Sequence, residues 1–322
     1  VSDWRPGADQ AALVERAALY AGIRAFFAAR DVLEVDTPLL ASYGVTDPAI
    51  EPLTARGAST GPGGRYLQSS PEFAMKRLLG AGSGDIYQLG KAFRDGEAGE
   101  RHNPEFTLLE WYRVGMPVAD LMDEVADLVL ACLPRAAGVR TAGVYSYREL
   151  FLERLAIDPF EADDDALAQL ARREVDVGPL DLTRDAWLDL LLTHCIEPAL
   201  AERGLVFITD YPPSQAALAR TAQRGGTAVA ERFELYVDGV ELANGYAELT
   251  DADELVARAQ RDNDHRAAAG QEQRDLDPRL VAALRAGLPA CSGVALGVDR
   301  LLMLRLGARS LAEVMPFSWP RS

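Results

Sequence analysis

Glu105-Phe106-Thr107-Leu108-Leu109-Glu110-Trp111-Tyr112-Arg113-Val114 is the stretch whose reading decides the fold. It is rich in β-formers and free of proline. A period of two puts Phe106, Leu108, Glu110 and Tyr112 on one face. A carboxylate and a phenol beside apolar side chains fit the polar floor of a pocket. An amphipathic strand with one wet face fits the pattern as well. Just upstream, residues 85–93 read as a second strand, and a polar loop containing glycine joins the two. That loop is long for a hairpin turn, and long loops often carry function. Sequence-adjacent strands joined in this way imply an antiparallel sheet. The expected class is therefore α+β, an antiparallel sheet flanked by helices, rather than a doubly wound parallel sheet.

Working outward, residues 11–30 form a candidate helix with Leu13, Ala17, Tyr20, Ile23, Phe26 and Phe27 on one face. Residues 32–40 alternate like a strand that leaves its sheet at Pro38. Residues 65–69 read as a short strand, and Pro71 suits the first turn of a helix running to Leu79. Residues 118–133 are helical, and residues 140 to about 200 read as a mostly helical insertion with acidic surface runs. Residues 205–209 form an apolar strand. Residues 230–237 and 240–249 are strands joined at Asp238-Gly239, a strong hairpin signal. Asp251 caps a helix to about Ala269. Residues 294–296 are a short strand leading into a helix over 298–306.

Composition narrows the function. A chain of 322 residues with 48% hydrophobic and 25% charged side chains has ample material for a buried core. The net charge of −16 and pI near 4.7 argue against a global nucleic-acid footprint. The three cysteines and three histidines are scattered, which argues against a zinc site and suits a reducing compartment. No run of 18 apolar residues and no signal-peptide pattern is present, so a soluble cytoplasmic protein without membrane attachment is expected. No phosphate loop of the Gly-x-x-x-x-Gly-Lys-Ser/Thr type occurs.

Three further segments carry chemistry. Arg94 closes a strand before the long loop, where it can meet an anion or simply pair on the surface. His102 and Phe106 could hold a flat base and nearby phosphate oxygens. Glu234, Glu241 and Glu248 recur every seven residues across the hairpin. Clustered carboxylates suit a hard cation such as Mg²⁺, which commonly bridges carboxylates to nucleotide phosphates. They also suit an ammonium, and solvated surface glutamates remain the plain alternative. A regular strand would point Glu241 and Glu248 to opposite faces; a bulge at Asn244-Gly245 would unite them. Finally, Ser292-Gly-Val-Ala295-Leu-Gly297-Val-Asp-Arg300-Leu-Leu-Met303 is a glycine-punctuated strand entering a helix. It places Arg300 in a first turn that favours anions.

In order along the chain, these segments resemble the three signature motifs of class II aminoacyl-tRNA synthetases. Residues 32–40 resemble motif 1, residues 93–112 motif 2 and residues 293–301 motif 3. Ser70-Pro71-Glu72, Phe106-Thr-Leu-Leu-Glu-Trp-Tyr112 and Glu241-Leu-Ala-Asn-Gly are similar to the lysyl branch. The resemblance is closest to lysyl-tRNA synthetase paralogues that join (R)-β-lysine to a lysine of translation elongation factor P.

That resemblance implies a single catalytic domain over residues 1–322, with the helical insertion at about 140–200 and no anticodon-binding OB domain. It implies a homodimer built on motif 1, and ATP and Mg²⁺ as cofactors. It also implies (R)-β-lysine or lysine as substrate and elongation factor P, rather than tRNA, as acceptor. By position, Arg94 would hold the substrate carboxylate and the α-phosphate, and Arg300 the γ-phosphate. Phe106 would stack on adenine, with Asp95, His102, Asn103, Leu242 and Gly297 around the nucleotide. Glu234 and Glu241 would bind Mg²⁺, and Arg94, Arg300 and Glu241 would be the catalytic set. Glu248 and Tyr112 would take the terminal ammonium. Ser70, Pro71, Glu72 and Glu110 would line the amino-group site, and Asn244 would touch the carboxylate end. Ala295, where true synthetases carry glycine, would reshape the amino-acid pocket.

The sequence departs from the family at Gly96, where the motif-2 run Phe-Arg-Asn-Glu becomes Phe93-Arg94-Asp95-Gly96. Glu97 is the candidate replacement for the missing glutamate. A shortened lysyl-tRNA synthetase, a small-molecule amide synthetase and a non-catalytic regulatory paralogue are the rival readings.

Overall fold

The computed structural model of the protein describes residues 4–61, 63–133, 142–178 and 180–322. In chain order the first elements are α1 (Gln10–Ala28), β1 (Leu33–Glu34), β2 (Leu40–Ala41), β3 (Thr54–Ala55), β4 (Arg65–Leu67) and α2 (Glu72–Gly80). Strands β5 (Ile86–Phe93) and β6 (Glu105–Val114), helix α3 (Val118–Cys132), β7 (Gly143–Ser146), α4 (Tyr147–Leu155), α5 (Asp164–Glu174), α6 (Arg184–Leu191) and α7 (Glu197–Leu200) follow. The remainder is β8 (Leu205–Tyr211), β9 (Thr221–Arg224), β10 (Thr227–Val237), β11 (Val240–Ala247), α8 (Ala252–Ala268), α9 (Pro278–Gly287), β12 (Cys291–Gly297) and α10 (Val298–Leu306).

These elements fall into two compact units, one of Val1–Ala136 with Leu249–Ser322 and the other Ala137–Glu248. In the first unit, β6 lies between β5 and β12, antiparallel to both, and β1 joins the far edge of β5 in parallel. Helix α1 packs on this sheet. Asp9 caps it by accepting from the Ala12 amide at 2.8 Å. Its buried face, Ala12, Leu19, Ile23 and Phe27, has helical spacing. Phe27 stacks on Tyr87 of β5 at 4.4 Å and meets Trp111 of β6 edge-on at 5.3 Å. A buried ion pair ties α1 to the start of α10, near motif 3. Asp299 at the start of α10 pairs with Arg16 at 2.6 Å and accepts from the Thr107 amide at 2.6 Å. A second small sheet, β2-β4-β3, completes this unit.

In the second unit the order is β11-β10-β8-β7, with β9 added to β10. All neighbours are antiparallel except β7 and β8. Asp238 and Gly239 both adopt positive φ, 51° and 73°, as the two-residue hairpin turn requires. Helices α4 to α7 cover this sheet through Tyr147, Phe151, Trp187, Leu188, Leu191 and Ile196. Ser146 and Glu149 form a full capping box at the start of α4.

The α+β class holds, with three corrections of detail. The sheets are mixed, because β1–β5 and β7–β8 pair in parallel. Residues 32–40 do not make one strand; two two-residue strands flank the turn around Pro38 instead. The expected helical stretch from residue 140 contains strand β7 before its helices, and residues 140 and 141 lie outside the described residues.

Candidate functional site

In the first unit the face of β6 predicted from its period of two is realised, and its neighbours determine its character. Across β5–β6–β12, Gln88, Glu110 and Ala295 form one row. Ile86, Tyr112 and Gly293 form the next, and Gly90, Leu108 and Gly297 a third. Residues directly opposite in a ladder point to the same side, so Glu110 stands between an amide and a methyl group, flanked by rows with glycine. Small residues on both neighbouring strands thus flank this floor.

Glu110 is 2% exposed, and its carboxylate is held at both oxygens. Tyr112 donates to Oε1 at 2.7 Å and Ser70 donates to Oε2 at 2.7 Å. Ser70 Oγ in turn accepts from the Glu72 amide at 3.0 Å, so one hydroxyl ties the entry of α2 to the floor. Pro71 occupies the N-cap position just before the helix, one residue earlier than expected. Glu72 accepts from Lys76, one turn on, at 2.6 Å. Lys76 is 2% exposed, a burial that demands an anionic partner. Sequence reasoning missed Lys76; its i, i+4 spacing from Glu72 was the available signal. Beside Ser70 and Glu72 lies a cavity of about 220 Å³, lined also by Leu40, Tyr43, Tyr66 and Arg77.

The cationic groups gather at the other end of the same strands. The Arg94 guanidinium lies 5.2 Å from the Phe106 ring centroid and 3.6 Å from Glu97. Glu97, the proposed stand-in for the missing glutamate, therefore faces the arginine. Gly96 has φ +76°, a conformation that side chains rarely adopt, and its amide is held by the Asp95 carboxylate at 2.9 Å. The Asp95 amide donates to the Glu51 carbonyl, and Glu51 itself takes ion pairs from Arg266 and Arg274. Arg300, in the first turn of α10, meets His102 Nε2 at 2.7 Å and donates to the Arg101 carbonyl at 3.2 Å. The structure thus brings Arg300 and His102 together. The Asn103 side chain is committed elsewhere: it donates to the Glu105 carbonyl at 2.6 Å and accepts from the Trp319 amide at 2.8 Å.

In the second unit the carboxylates share one face, by a route the sequence did not reveal. Glu234 pairs with Asn244, Leu235 with Ala243, and then Tyr236 with Glu241. Leu242 is therefore the extra residue of a bulge. The expected bulge at Asn244-Gly245 is not there, because Asn244 and Gly245 keep regular partners in Glu234 and Phe233. The extra residue restores parity, so Glu241, Asn244 and Tyr246 point to the side of Glu234 and Tyr236. The alternation carried one residue past β11 adds Glu248, which is 2% exposed. Leu242 itself is buried.

Glu234 sits at the centre of a dense network. Its Oε1 accepts from Arg232 and, at 3.5 Å, from Asn244; its Oε2 accepts from Tyr211 at 2.7 Å and Tyr236 at 2.8 Å. Burial and this carboxylate push both phenols well above their ordinary range. Tyr236 also lies 3.2 Å from Glu197. The single phenol proton is shared between Glu234 at 2.8 Å and Glu197 Oε1 at 3.2 Å. Burial, with the charges of Glu241 and Glu234, raises that carboxyl to about 7. Sequence reasoning missed Arg232 and Glu197. Arg232 had a same-face signal, two residues before Glu234; Glu197 is remote in sequence, just after a π-helical turn at Leu192–Ile196.

Two carboxylates on one face, Glu234 and Glu241, fit Mg²⁺ bound chiefly through nucleotide phosphates. Glu241 is half-buried, and all four acceptor directions of Glu234 are engaged, the 3.5 Å Asn244 contact being the longest. Among the described residues, no group of three or more His, Cys, Asp or Glu is placed to hold a metal ion by itself. Among the same residues no helix is long and apolar enough to cross a membrane.

Comparison with known proteins agrees with these motifs. The family model of class II tRNA synthetases (D, K and N) matches residues 1–321. A protein named elongation factor P–(R)-β-lysine ligase from Photorhabdus laumondii is 46% identical over 324 residues, covering 98% of each chain. A relative of the same name from Yersinia pestis is 46% identical over 323 residues, covering 98% of this chain and 97% of its own. Its counterpart in Yersinia pseudotuberculosis matches to the same extent.

Proposed function

Because this chain belongs to the class II tRNA synthetases (D, K and N), we propose that it is an ATP-dependent ligase that activates (R)-β-lysine and transfers it to a lysine of translation elongation factor P. The observation that carries this reading is the 46% identity to ligases of that name over nearly the full length of both chains. The polar floor of Glu110, Tyr112 and Ser70 supports it, since buried anionic and hydroxyl oxygens suit a substrate with ammonium groups.

Two steps follow. A substrate carboxylate oxygen attacks the α-phosphorus of ATP, forming a P–O bond as the bond to the β-phosphate bridge breaks and pyrophosphate leaves. The acceptor amine then attacks the adenylate carbonyl; a C–N bond forms, the C–O bond to AMP breaks, and the amine loses a proton. Arg94 holds the substrate carboxylate and α-phosphate, and Arg300 the γ-phosphate, with His102 keeping the Arg300 guanidinium in place. Such fixed cations lower the barrier by positioning and by stabilising phosphoryl charge. Phe106, already against Arg94, stacks on adenine, with Asp95, Asn103, Leu242 and Gly297 around the nucleotide. Glu241 and Glu234 would hold Mg²⁺, which neutralises polyphosphate charge. Ser70, Pro71, Glu72, Glu110 and Ala295 line the amino-group pocket, Tyr112 and Glu248 take the terminal ammonium, and Asn244 the carboxylate end.

The same proposal includes a single catalytic domain with a helical insertion, and a homodimer. The exposed Leu33, Leu39 and Leu40 on the motif-1 segment support the dimer. ATP–pyrophosphate exchange tests the activation step. We expect exchange with (R)-β-lysine to exceed that with α-lysine. No exchange with any diamino acid would leave the non-catalytic reading in its place.

A further inference from the structure

We propose that Gln88 is a specificity-determining residue of the amino-acid pocket, its side-chain carbonyl accepting a hydrogen bond from a substrate ammonium beside Glu110. The inference rests on the activation of a diamino acid proposed above.

Four observations carry it. Gln88 lies directly opposite Glu110 in the β5–β6 ladder, so both side chains rise from the same face. Gln88 is 3% exposed, and a buried amide has to satisfy its polar atoms. Its Oε1 is buried and has no hydrogen-bond partner among the described residues, although Glu110, one strand away, has a donor at each oxygen. The amide also has a place prepared for it. Gly90 is the next residue of β5 on that face, and a Cβ there would come within 3.2 Å of Gln88 Nε2. The absence of a side chain at position 90 thus lets the amide lie along the strand, with its nitrogen toward Gly90.

A buried acceptor without a donor is costly, and a native fold sustains it where a ligand supplies the donor. The chemistry of the pocket specifies that donor. Glu110 already presents an anion, so the group bound beside it is cationic, and an ammonium has three N–H bonds to distribute. One goes to Glu110. A second carboxylate in the same row would set two negative charges side by side in a buried floor, and one of them would take up a proton. A neutral amide accepts the second N–H without that conflict. On the other side of Glu110, Ala295 offers only a methyl group, so the ammonium is held from the β5 side.

Gln88→Met keeps the length and volume and removes the acceptor; Gln88→Glu keeps an acceptor. In amino-acid-dependent ATP–pyrophosphate exchange, Gln88→Met should raise KM for the diamino acid by roughly 10- to 100-fold, as loss of a hydrogen bond to a charged group implies. KM for ATP should stay within about twofold, and Gln88→Glu, which restores an acceptor but adds the second charge beside Glu110, should recover only part of the loss. A merely structural glutamine predicts equal changes in both KM values, or none, and either would overturn the inference. Wild-type enzyme that exchanges with no diamino acid would instead defeat the function it rests on.

If Gln88→Met does not fold, wild-type protein with ¹⁵N-labelled glutamine side chains decides. The Gln88 signal, assigned by its loss in Gln88→Glu, should shift on adding the diamino acid and stay still on adding norleucine, which lacks the side-chain ammonium, if that is the group bound. If it is the other amino group, the shift should persist with norleucine and vanish with 6-aminohexanoate. No shift with the diamino acid would overturn the inference.

Discussion

Relative to wild type, Glu197→Gln should become increasingly stabilising to the second unit as pH rises through about 7. Glu197 lies 3.2 Å from Tyr236 and feels the charges of Glu241 and Glu234, so the fold favours its protonated form. Its carboxyl is raised from an ordinary 4.5 to about 7 by burial and by Glu241 and Glu234. The folded state therefore keeps a proton that the unfolded chain releases between those two values. Stability from this group is fully present below about pH 4.5 and is lost as pH rises through about 7. The full shift corresponds to roughly 3 kcal/mol, and because Glu197 is only half-buried, solvent reduces this to about 1–2 kcal/mol. Glutamine reproduces the neutral acid: its amide N–H donates to the phenol oxygen and it cannot ionise.

The assay is urea denaturation from pH 4.5 to 8.5, followed by tryptophan fluorescence, since Trp187 lies buried in the core of this unit. Asp189, raised to about 6 by burial, titrates in both proteins, so the difference between the curves isolates Glu197. The curves should converge near pH 4.5 and separate by about 1–2 kcal/mol at pH 8. Parallel curves across the whole range would refute the raised Glu197 carboxyl.

Two further substitutions probe the first unit. Ser70→Ala removes the 2.7 Å bond to Glu110 and the acceptor for the Glu72 amide. It should raise KM for the amino acid by roughly 10- to 100-fold with KM for ATP almost unchanged, and equal losses in both would count against Ser70 as an amino-acid-site residue. Gly96→Ala meets open space but must adopt φ +76°, so it should destabilise by about 1–2 kcal/mol. A melting temperature identical to wild type would show that the loop relaxes freely.

Where local chemistry set the outcome, the sequence was legible. The strand Glu105–Val114 follows from its period of two, and the hairpin from Asp238-Gly239, because these patterns act over a few residues. The three motifs place Arg94, Arg300 and the carboxylates from type and order alone. Tertiary pairing was not legible. The bulge at Leu242 depends on the register that β10 imposes on β11, and no composition at Leu242 announces it. Nothing in the strand at 85–93 singles out Gln88; only the ladder sets it against Glu110. Helix α9 was missed although Asp277-Pro278 is an orthodox start, with Asp277 accepting from the Arg279 amide. Lys76 shows the same limit, since burial of a lysine becomes visible only once α2 is packed.

The central claim is that the activated amino acid is delivered to a protein. Intact-mass measurement of elongation factor P after incubation with the enzyme, ATP, Mg²⁺ and (R)-β-lysine tests it most directly, with tRNA as a parallel acceptor. A gain of one β-lysyl group on a single lysine of the factor, with tRNA uncharged, is the expected result. An unmodified factor beside charged tRNA would make the chain a shortened lysyl-tRNA synthetase and contradict the account.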